Sequence, residues 1–305
     1  LLGQPMFKLL ADIQKMEAEG KKVLHFEIGD PVWNTPQFIC DWAYDSMSKG
    51  RTHYVDSMGT PELRDAVCSE IESTRGFRPK REQVLVSPAN AVIYLLLKCT
   101  VNPGEEVVYP DPGFPTYLAS IASLGIKPIP AEIKENSAFR MSPLRTSFNL
   151  VTDKTRLIIT NSPSNPTGAM MTSCDAHDFY GLAEERDIYL LSDEAYSDLT
   201  YGYPHFSPCI LDGCKERTIL LGSFSKSFSM TGWRLGYAVG PEEVIAKMGI
   251  LLQTIVSCLP PFIQEAGVYA LKDGREFTKD LVRKLNYNRE VMVAGLSKLP
   301  GVTCI

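Results

Sequence analysis

The chain has 305 residues and a formal net charge of −5, and 44% of its residues are hydrophobic. This length allows a large core in one domain and part of a second, while the lack of a Lys/Arg-rich block excludes a nucleic-acid footprint. No apolar run approaches the ~20 residues of a membrane span, and no basic-then-apolar leader is present, so we expect a soluble, cytoplasmic protein without a membrane partner. Eight scattered cysteines and four dispersed histidines indicate a reduced compartment and no metal site.

Helix and turn patterns organise the first part of the chain. Apolar residues at helical spacing predict a helix over residues 1–20. An apolar segment over residues 23–28 then leads into Gly29, where an ordinary strand followed by a Gly/Pro turn is one interpretation. Thr60 followed by Pro61 predicts the start of another helix, because threonine caps a helix and proline fits its first turn.

A strand, a short turn and a helix follow one another between residues 84 and 99. The apolar residues 84–86 predict a buried strand, and residues 91–99 predict an apolar helix. Ala89 and Asn90 would lie at the start of that helix, where free N–H groups and the helix dipole favour an anion. This turn is therefore a candidate phosphate site.

Further buried strands are predicted over residues 157–160, 188–192, 218–221 and 235–239. Helical patterns separate most of them, and this alternation is typical of an α/β fold with a mostly parallel sheet flanked by helices. Asn161 and Asp193 come directly after two of these strands, and Ser223 follows a third strand after one glycine. Polar residues at strand carboxyl ends indicate a binding site at one edge of the sheet.

The segment from Ser223 to Arg234 carries the most informative group of polar residues. Ser223, Ser225 and Arg234 suit a phosphate, because guanidinium binds such groups in bidentate fashion and hydroxyls add hydrogen bonds. Lys226 lies among them, and an amine at a phosphate site is well placed to form a Schiff base with pyridoxal phosphate. The alternative is a solvated Ser/Lys loop after a strand.

Several strings occur together in one order along the chain. They are S-x-S-K with G-W-R at residues 223–234, N-x-P-x-N-P-T-G at residues 161–168, D-E-x-Y at residues 193–196, and T-x-Y at residues 52–54. Their order resembles that of the class I and II aminotransferases, the fold-type I pyridoxal-phosphate enzymes, and is aspartate-aminotransferase-like. The resemblance extends over nearly the whole chain, from about residue 25 to residue 300.

The resemblance implies a role for each matching residue around the cofactor. Asp193 would pair with the protonated pyridine nitrogen, and Asn165 and Tyr196 would share the phenolate oxygen. Phe114 would stack on the ring, although a core phenylalanine is the alternative. The phosphate would be held by Ala89, Asn90, Ser223, Ser225 and Arg234. Pro88, where the family usually has glycine, departs from the pattern and leaves the geometry of that loop open.

Two residues would extend the site beyond the cofactor. Gly29 would let backbone approach the substrate carboxylate. Tyr54 would reach the phosphate of a partner subunit, so the resemblance implies a homodimer. A surface or interface aromatic remains the alternative for Tyr54.

The same resemblance divides the chain into three parts. Residues 1–45 would belong to a small domain, residues 46–274 would form the large cofactor-binding domain, and residues 275–305 would begin a C-terminal α/β small domain that looks truncated. The arginine that grips the substrate α-carboxylate in the family would lie beyond Ile305.

The implied function is an aminotransferase that moves an amino group between an amino acid and a 2-oxo acid through a Lys226 Schiff base. A lyase, synthase or oxidase with the same cofactor, or a pyridoxal-phosphate-binding regulatory domain, remains an alternative at this point. A cofactor-free interaction protein would not need both Lys226 and Asp193.

Overall fold

A computed structural model describes residues 3, 5–143 and 148–304, so residues 1, 2, 4, 144–147 and 305 lie outside the described part of the chain. The outer ends of the predicted N-terminal helix and of the predicted C-terminal segment fall there. The helices are α1 Pro5–Ala18, α2 Gln37–Ser48, α3 Pro61–Arg75, α4 Ala89–Thr100, α5 Thr116–Ser123, α6 Ser173–Glu185, α7 Phe224–Ser227, α8 Glu242–Val256, α9 Pro261–Asp273 and α10 Arg275–Leu296. None of these described helices is both long enough and apolar enough to cross a membrane.

The described residues form one sheet of seven strands. They are β1 Val84–Val86, β2 Glu106–Asp111, β3 Lys127–Glu132, β4 Thr155–Asn161, β5 Tyr189–Asp193, β6 Thr218–Ser223 and β7 Gly236–Val239. The strand order is β1-β7-β6-β5-β4-β2-β3, and β7 runs antiparallel to both of its neighbours while the other pairs are parallel. The prediction of an α/β fold with a mostly parallel sheet is therefore confirmed.

The central strands are buried on both faces, which explains their continuous apolar sequences. Strand β4 is buried along nearly its whole length, and β5 and β6 show the same pattern. Parallel strands need helical crossovers, and those helices cover both faces of the sheet. A continuous apolar run, rather than an alternating one, is the expected sequence for such a strand.

The strand register brings three polar strand ends to one edge of the sheet. Asn161 at the end of β4 pairs with Asp193 at the end of β5, and Asp193 pairs with Leu221 of β6. Strand β6 continues to Ser223, and α7 starts at the next residue. Because these strands are parallel, their carboxyl ends meet, and the polar residues that follow them share one side of the sheet.

Helix α3 begins as its sequence predicts. The Thr60 side chain accepts a hydrogen bond from the Leu63 N–H at 3.4 Å, and Pro61 occupies the first turn. Leu63, Val67 and Ile71 are buried, which is the helical stripe that the spacing indicates. The helix ends at Gly76, whose φ of 77° is left-handed and is tolerated by glycine.

A buried ion pair ties the end of α3 to the residue after β5. The Arg75 guanidinium donates to Glu194 Oε2 at 2.9 and 2.7 Å, and His205 Nε2 lies 3.0 Å from the same oxygen. Burial alone would raise the pKa of the Glu194 carboxyl, but Arg75 and His205 hold that pKa well below its usual range. Because an unpaired buried charge is costly, this pair holds the backbone beside Asp193 in place.

Candidate active site

A cavity of about 550 Å³ lies at the carboxyl ends of β4, β5 and β6. Eleven of the twelve predicted site residues line it, and only Tyr54 does not. The eleven are Gly29, Ala89, Asn90, Phe114, Asn165, Asp193, Tyr196, Ser223, Ser225, Lys226 and Arg234. The fold therefore brings together residues that are up to 205 positions apart in the sequence.

Asp193 is a buried carboxylate at the end of β5, with 4% of its surface exposed. Its Oδ2 accepts a hydrogen bond from the Tyr117 hydroxyl at 2.7 Å, and its Oδ1 accepts one from the Ala195 N–H at 3.2 Å. Burial raises the pKa of this carboxyl from 3.8 to about 6. No Lys, Arg or His among the described residues forms an ion pair with it, so it can pair with a cationic group in the cavity.

Lys226 lies on α7, just beyond the end of β6. Its amine donates a hydrogen bond to the Gly29 carbonyl and lies 5.9 Å from the centre of the Tyr196 ring. Burial lowers the pKa of the Lys226 amine; nearby Asp30 acts against this shift and Arg234 adds to it. A lowered pKa increases the neutral fraction, which is the nucleophilic form of an amine.

Asn165 and Tyr196 meet across the cavity wall. The Asn165 amide Nδ2 lies 3.5 Å from the Tyr196 hydroxyl, to which it donates. Burial, assisted by the charge of Asp193, raises the pKa of Tyr196 to about 12. The phenol is therefore protonated at neutral pH, and both side chains can donate a hydrogen bond to an oxyanion.

Hydroxyl groups and a helix start lie at another part of the cavity. Ser223 Oγ accepts a hydrogen bond from the Ser225 N–H at 3.2 Å and so caps α7, while its own hydroxyl proton is available for donation. Helix α4 begins at Ala89 after Pro88, and no side chain caps it. Its first N–H groups can therefore bind an anion.

Arg234 completes this polar end of the cavity. It has a left-handed φ of 56°, and its guanidinium donates to the Thr231 carbonyl at 2.7 Å. The side chain is exposed, which leaves other N–H groups free to bind an anion. Despite the proline at position 88, the helix start and the two serines line the same cavity as this arginine.

Phe114 supplies an apolar wall. It precedes α5, is partly buried, and lines the cavity. Its ring meets the ring of Tyr117 edge-on, with centroids 5.7 Å apart and an interplanar angle of 84°. Because this ring lines the cavity, it offers an apolar surface to a planar ligand there.

Comparisons with known proteins agree with this geometry. The family model described as aminotransferase class I and II matches residues 21–305. The aspartate aminotransferase of Musicola paradisiaca is 33% identical over 98% of this chain and 75% of its own length. The chain belongs to the class I and II aminotransferases. It is therefore a pyridoxal-phosphate-dependent transaminase.

Two further relatives show the range of the family. The arginine–pyruvate transaminase of Pseudomonas aeruginosa is 33% identical over 93% of this chain and 72% of its own length. The crystal structure of the aspartate aminotransferase from Rhizobium meliloti matches with a TM-score of 0.93 at 30% identity, covering 99% of this chain and 76% of that one. The fold-type I architecture expected from the sequence is therefore confirmed.

The cavity of this aminotransferase fits pyridoxal phosphate on structural grounds. A buried carboxylate without a cationic partner suits the ring nitrogen, and a partly buried amine suits the aldehyde. A free helix start, two hydroxyls and an exposed guanidinium suit the phosphate. These groups line one cavity, which a single cofactor molecule requires.

The segment with Gly29 is attached to the loop that follows α7. Asp30 accepts a hydrogen bond from the Thr231 hydroxyl at 2.8 Å, and the Thr35 hydroxyl donates to the Ser229 carbonyl at 2.6 Å. These contacts place Gly29 beside Lys226. Tyr54 is 87% exposed and does not line the cavity of its own chain.

Sequence reasoning missed two residues that contact Asp193. Tyr117 is fully buried and donates to the carboxylate, although it lies 76 residues earlier. Asn161 donates from its Nδ2 to the Asp193 carbonyl at 3.0 Å. Asn161 is the first residue of the N-x-P-x-N-P-T-G string, so the sequence indicated its position but not its bond to the Asp193 carbonyl.

Proposed function

We propose that this aminotransferase attaches its cofactor covalently to Lys226 and moves an amino group between an amino acid and a 2-oxo acid. The observation that carries the proposal is the presence of Asp193 and Lys226 in one cavity, one a buried carboxylate and the other an amine of lowered pKa. A regulatory or interaction surface would not need both groups at the same site.

Each residue of the cavity has a task in this proposal. When bound, the cofactor's conjugated ring accepts the electron pair that is released at the substrate carbon. Asp193 would keep the ring nitrogen protonated, and Asn165 and Tyr196 would donate hydrogen bonds to the phenolate oxygen. Phe114 would cover one ring face, and the polar end of the cavity would hold the phosphate.

Lys226 would also transfer protons. Its amine lines the same cavity as Asp193 and Asn165, where it would take up the proton released at the substrate carbon. Burial lowers the pKa of this amine, which increases the fraction in the neutral form that a general base requires. The Gly29 carbonyl, which accepts from this amine, would keep it near the substrate.

A panel of amino acids tests the proposed reaction. We expect some donors to convert the bound cofactor to its amine form, seen as loss of the long-wavelength absorbance band, and a 2-oxo acid to restore the band. Aspartate, aromatic amino acids and arginine are the first donors to try, because relatives are named for them. Release of ammonia or peroxide without a paired 2-oxo acid would contradict transamination.

We further propose that the active form is a homodimer in which Tyr54 of one subunit completes the site of the other. The exposed position of Tyr54 and its absence from the cavity of its own chain support this arrangement.

The eight described cysteines are free, and a cytoplasmic location stays a prediction.

Mixing two inactive variants tests the shared site. We expect Lys226→Ala and Tyr54→Ala subunits, unfolded and refolded together at limiting cofactor, to recover up to about a quarter of wild-type activity, because half of the dimers would be mixed and each would hold one native site. The exposed Tyr44→Ala serves as the matched control and should behave as wild type. Absence of recovery, with a dimer seen by light scattering, would show that Tyr54 does not act across subunits.

A further inference from the structure

One side chain links the two strand ends that carry Asp193 and Asn165. Asn161 ends β4, has 8% of its surface exposed, and lines the cavity. Its Nδ2 donates to the Asp193 carbonyl at 3.0 Å, and its Oδ1 accepts from the Asn165 N–H at 2.7 Å. The single side-chain amide of Asn161 thus bonds to two segments of the site, the end of β5 through its N–H and the turn at Asn165 through its oxygen.

We propose that Asn161 is a positioning residue that fixes Asp193 and Asn165 relative to each other. The inference rests on the proposed function, in which Asp193 would pair with the ring nitrogen and Asn165 would donate to the phenolate oxygen. Asn161 would touch neither the ring nitrogen nor the phenolate oxygen. Its effect would pass through the backbone at residues 165 and 193.

The chemistry of the side chain explains why an amide is required. A carbonyl needs a donor and an N–H needs an acceptor, and asparagine offers both at the end of a short side chain. Aspartate would place a carboxylate oxygen against the Asp193 carbonyl, and leucine would satisfy neither group. The Asp193 carbonyl also accepts from the Ser162 N–H at 3.2 Å, so the strand end keeps one bond when the amide is lost.

The Asn165 N–H has no such second partner among the described contacts. Losing the Asn161 amide would therefore free the turn at Asn165 more than the end of β5. We expect the larger effect at the phenolate end of the cofactor, where Asn165 donates. That effect is visible in the pH dependence of the bound cofactor's absorbance, which depends on stabilisation of the phenolate.

The test compares Asn161→Leu, which keeps the branched side-chain shape without the amide, with the smaller Asn161→Ala, in the full chain loaded with pyridoxal phosphate. We expect the midpoint of the absorbance change with pH to move by about one unit, the effect of one hydrogen bond. Cofactor affinity should fall about tenfold for the same reason. Turnover (kcat) should fall more than KM changes, because Asn161 does not contact the substrate. The exposed Asn288→Leu is the matched control.

A double-mutant cycle distinguishes positioning from general loss of stability. In an Asn165→Ala background, Asn161→Leu should move the midpoint of the absorbance change much less, because the Asn165 side chain that Asn161 positions is no longer present. Equal shifts in both backgrounds, or an unchanged midpoint with a lower melting temperature, would overturn the inference. If wild-type protein shows no cofactor band, the proposed function itself fails, whereas a normal wild-type band with an unaffected Asn161→Leu contradicts this inference alone.

Discussion

Replacing Lys226 with alanine is expected to abolish the absorbance band near the visible edge and to lower turnover by at least about 10⁴-fold, because both the covalent attachment and the proton transfer are lost. The remaining groups of the cavity would hold the cofactor only reversibly, so gel filtration should remove the cofactor together with its band. Absorbance spectra of the loaded protein after gel filtration, together with single-turnover kinetics, measure the two effects separately.

Two controls make this result specific. Lys226→Arg keeps the positive charge but cannot attach to the aldehyde, so it should also lose the band. Lys22→Ala removes an exposed amine and should leave both the spectrum and turnover unchanged. A band that persists in Lys226→Ala and disappears in another lysine variant would move the attachment site elsewhere.

Replacing Asp193 with asparagine is expected to lower turnover by about 10²–10³-fold, because a preorganised charge opposite the ring nitrogen is removed. The side chain keeps its shape: its carbonyl oxygen can still accept from the Ala195 N–H, and the Tyr117 hydroxyl, which can accept as well as donate, can accept from the new amide NH2. Cofactor affinity should fall as well, since a neutral amide no longer pairs with the protonated ring nitrogen. Kinetics and equilibrium binding of pyridoxal phosphate measure these losses, with the exposed Asp178→Asn as control.

The same substitution should stabilise the protein when the cofactor is absent. The pKa of Asp193 is raised from 3.8 to about 6 by burial, so the folded apoprotein binds this proton more tightly than the unfolded chain does. Ionisation of the carboxyl therefore lowers the free energy of unfolding. This cost applies in full above pH 6, and it is absent below the ordinary pKa of 3.8. We expect Asp193→Asn to raise the free energy of unfolding of the apoprotein by on the order of 2 kcal/mol at pH 7.5.

Urea denaturation at several pH values tests this stability effect. The gain should shrink as the pH falls from 6 and vanish below 3.8, where the wild-type carboxyl is protonated in both the folded and the unfolded state. In the loaded protein the order should reverse, because the cofactor supplies the partner that the carboxylate lacks. Lower stability of the Asp193→Asn apoprotein at pH 7.5 would show that the carboxylate already has a compensating partner.

The sequence by itself determined the class of fold and predicted eleven residues that line one cavity. Short apolar runs separated by helical patterns predicted the buried parallel strands, because local periodicity reports which faces of an element are covered. Polar residues directly after those runs predicted the edge of the sheet where Lys226 and Asp193 lie. The division into domains at residues 45 and 274 stays a prediction.

Only the tertiary structure decided how these residues contact each other. One example is the antiparallel direction of β7. Two others are hydrogen bonds, from Tyr117 to Asp193 and from Lys226 to the Gly29 carbonyl, and each joins segments at least 76 residues apart. Local patterns specify an element and its buried face, but they carry no information about which distant hydroxyl or carbonyl will meet it. That pairing depends on strand order and register, and both are set by packing of the whole chain.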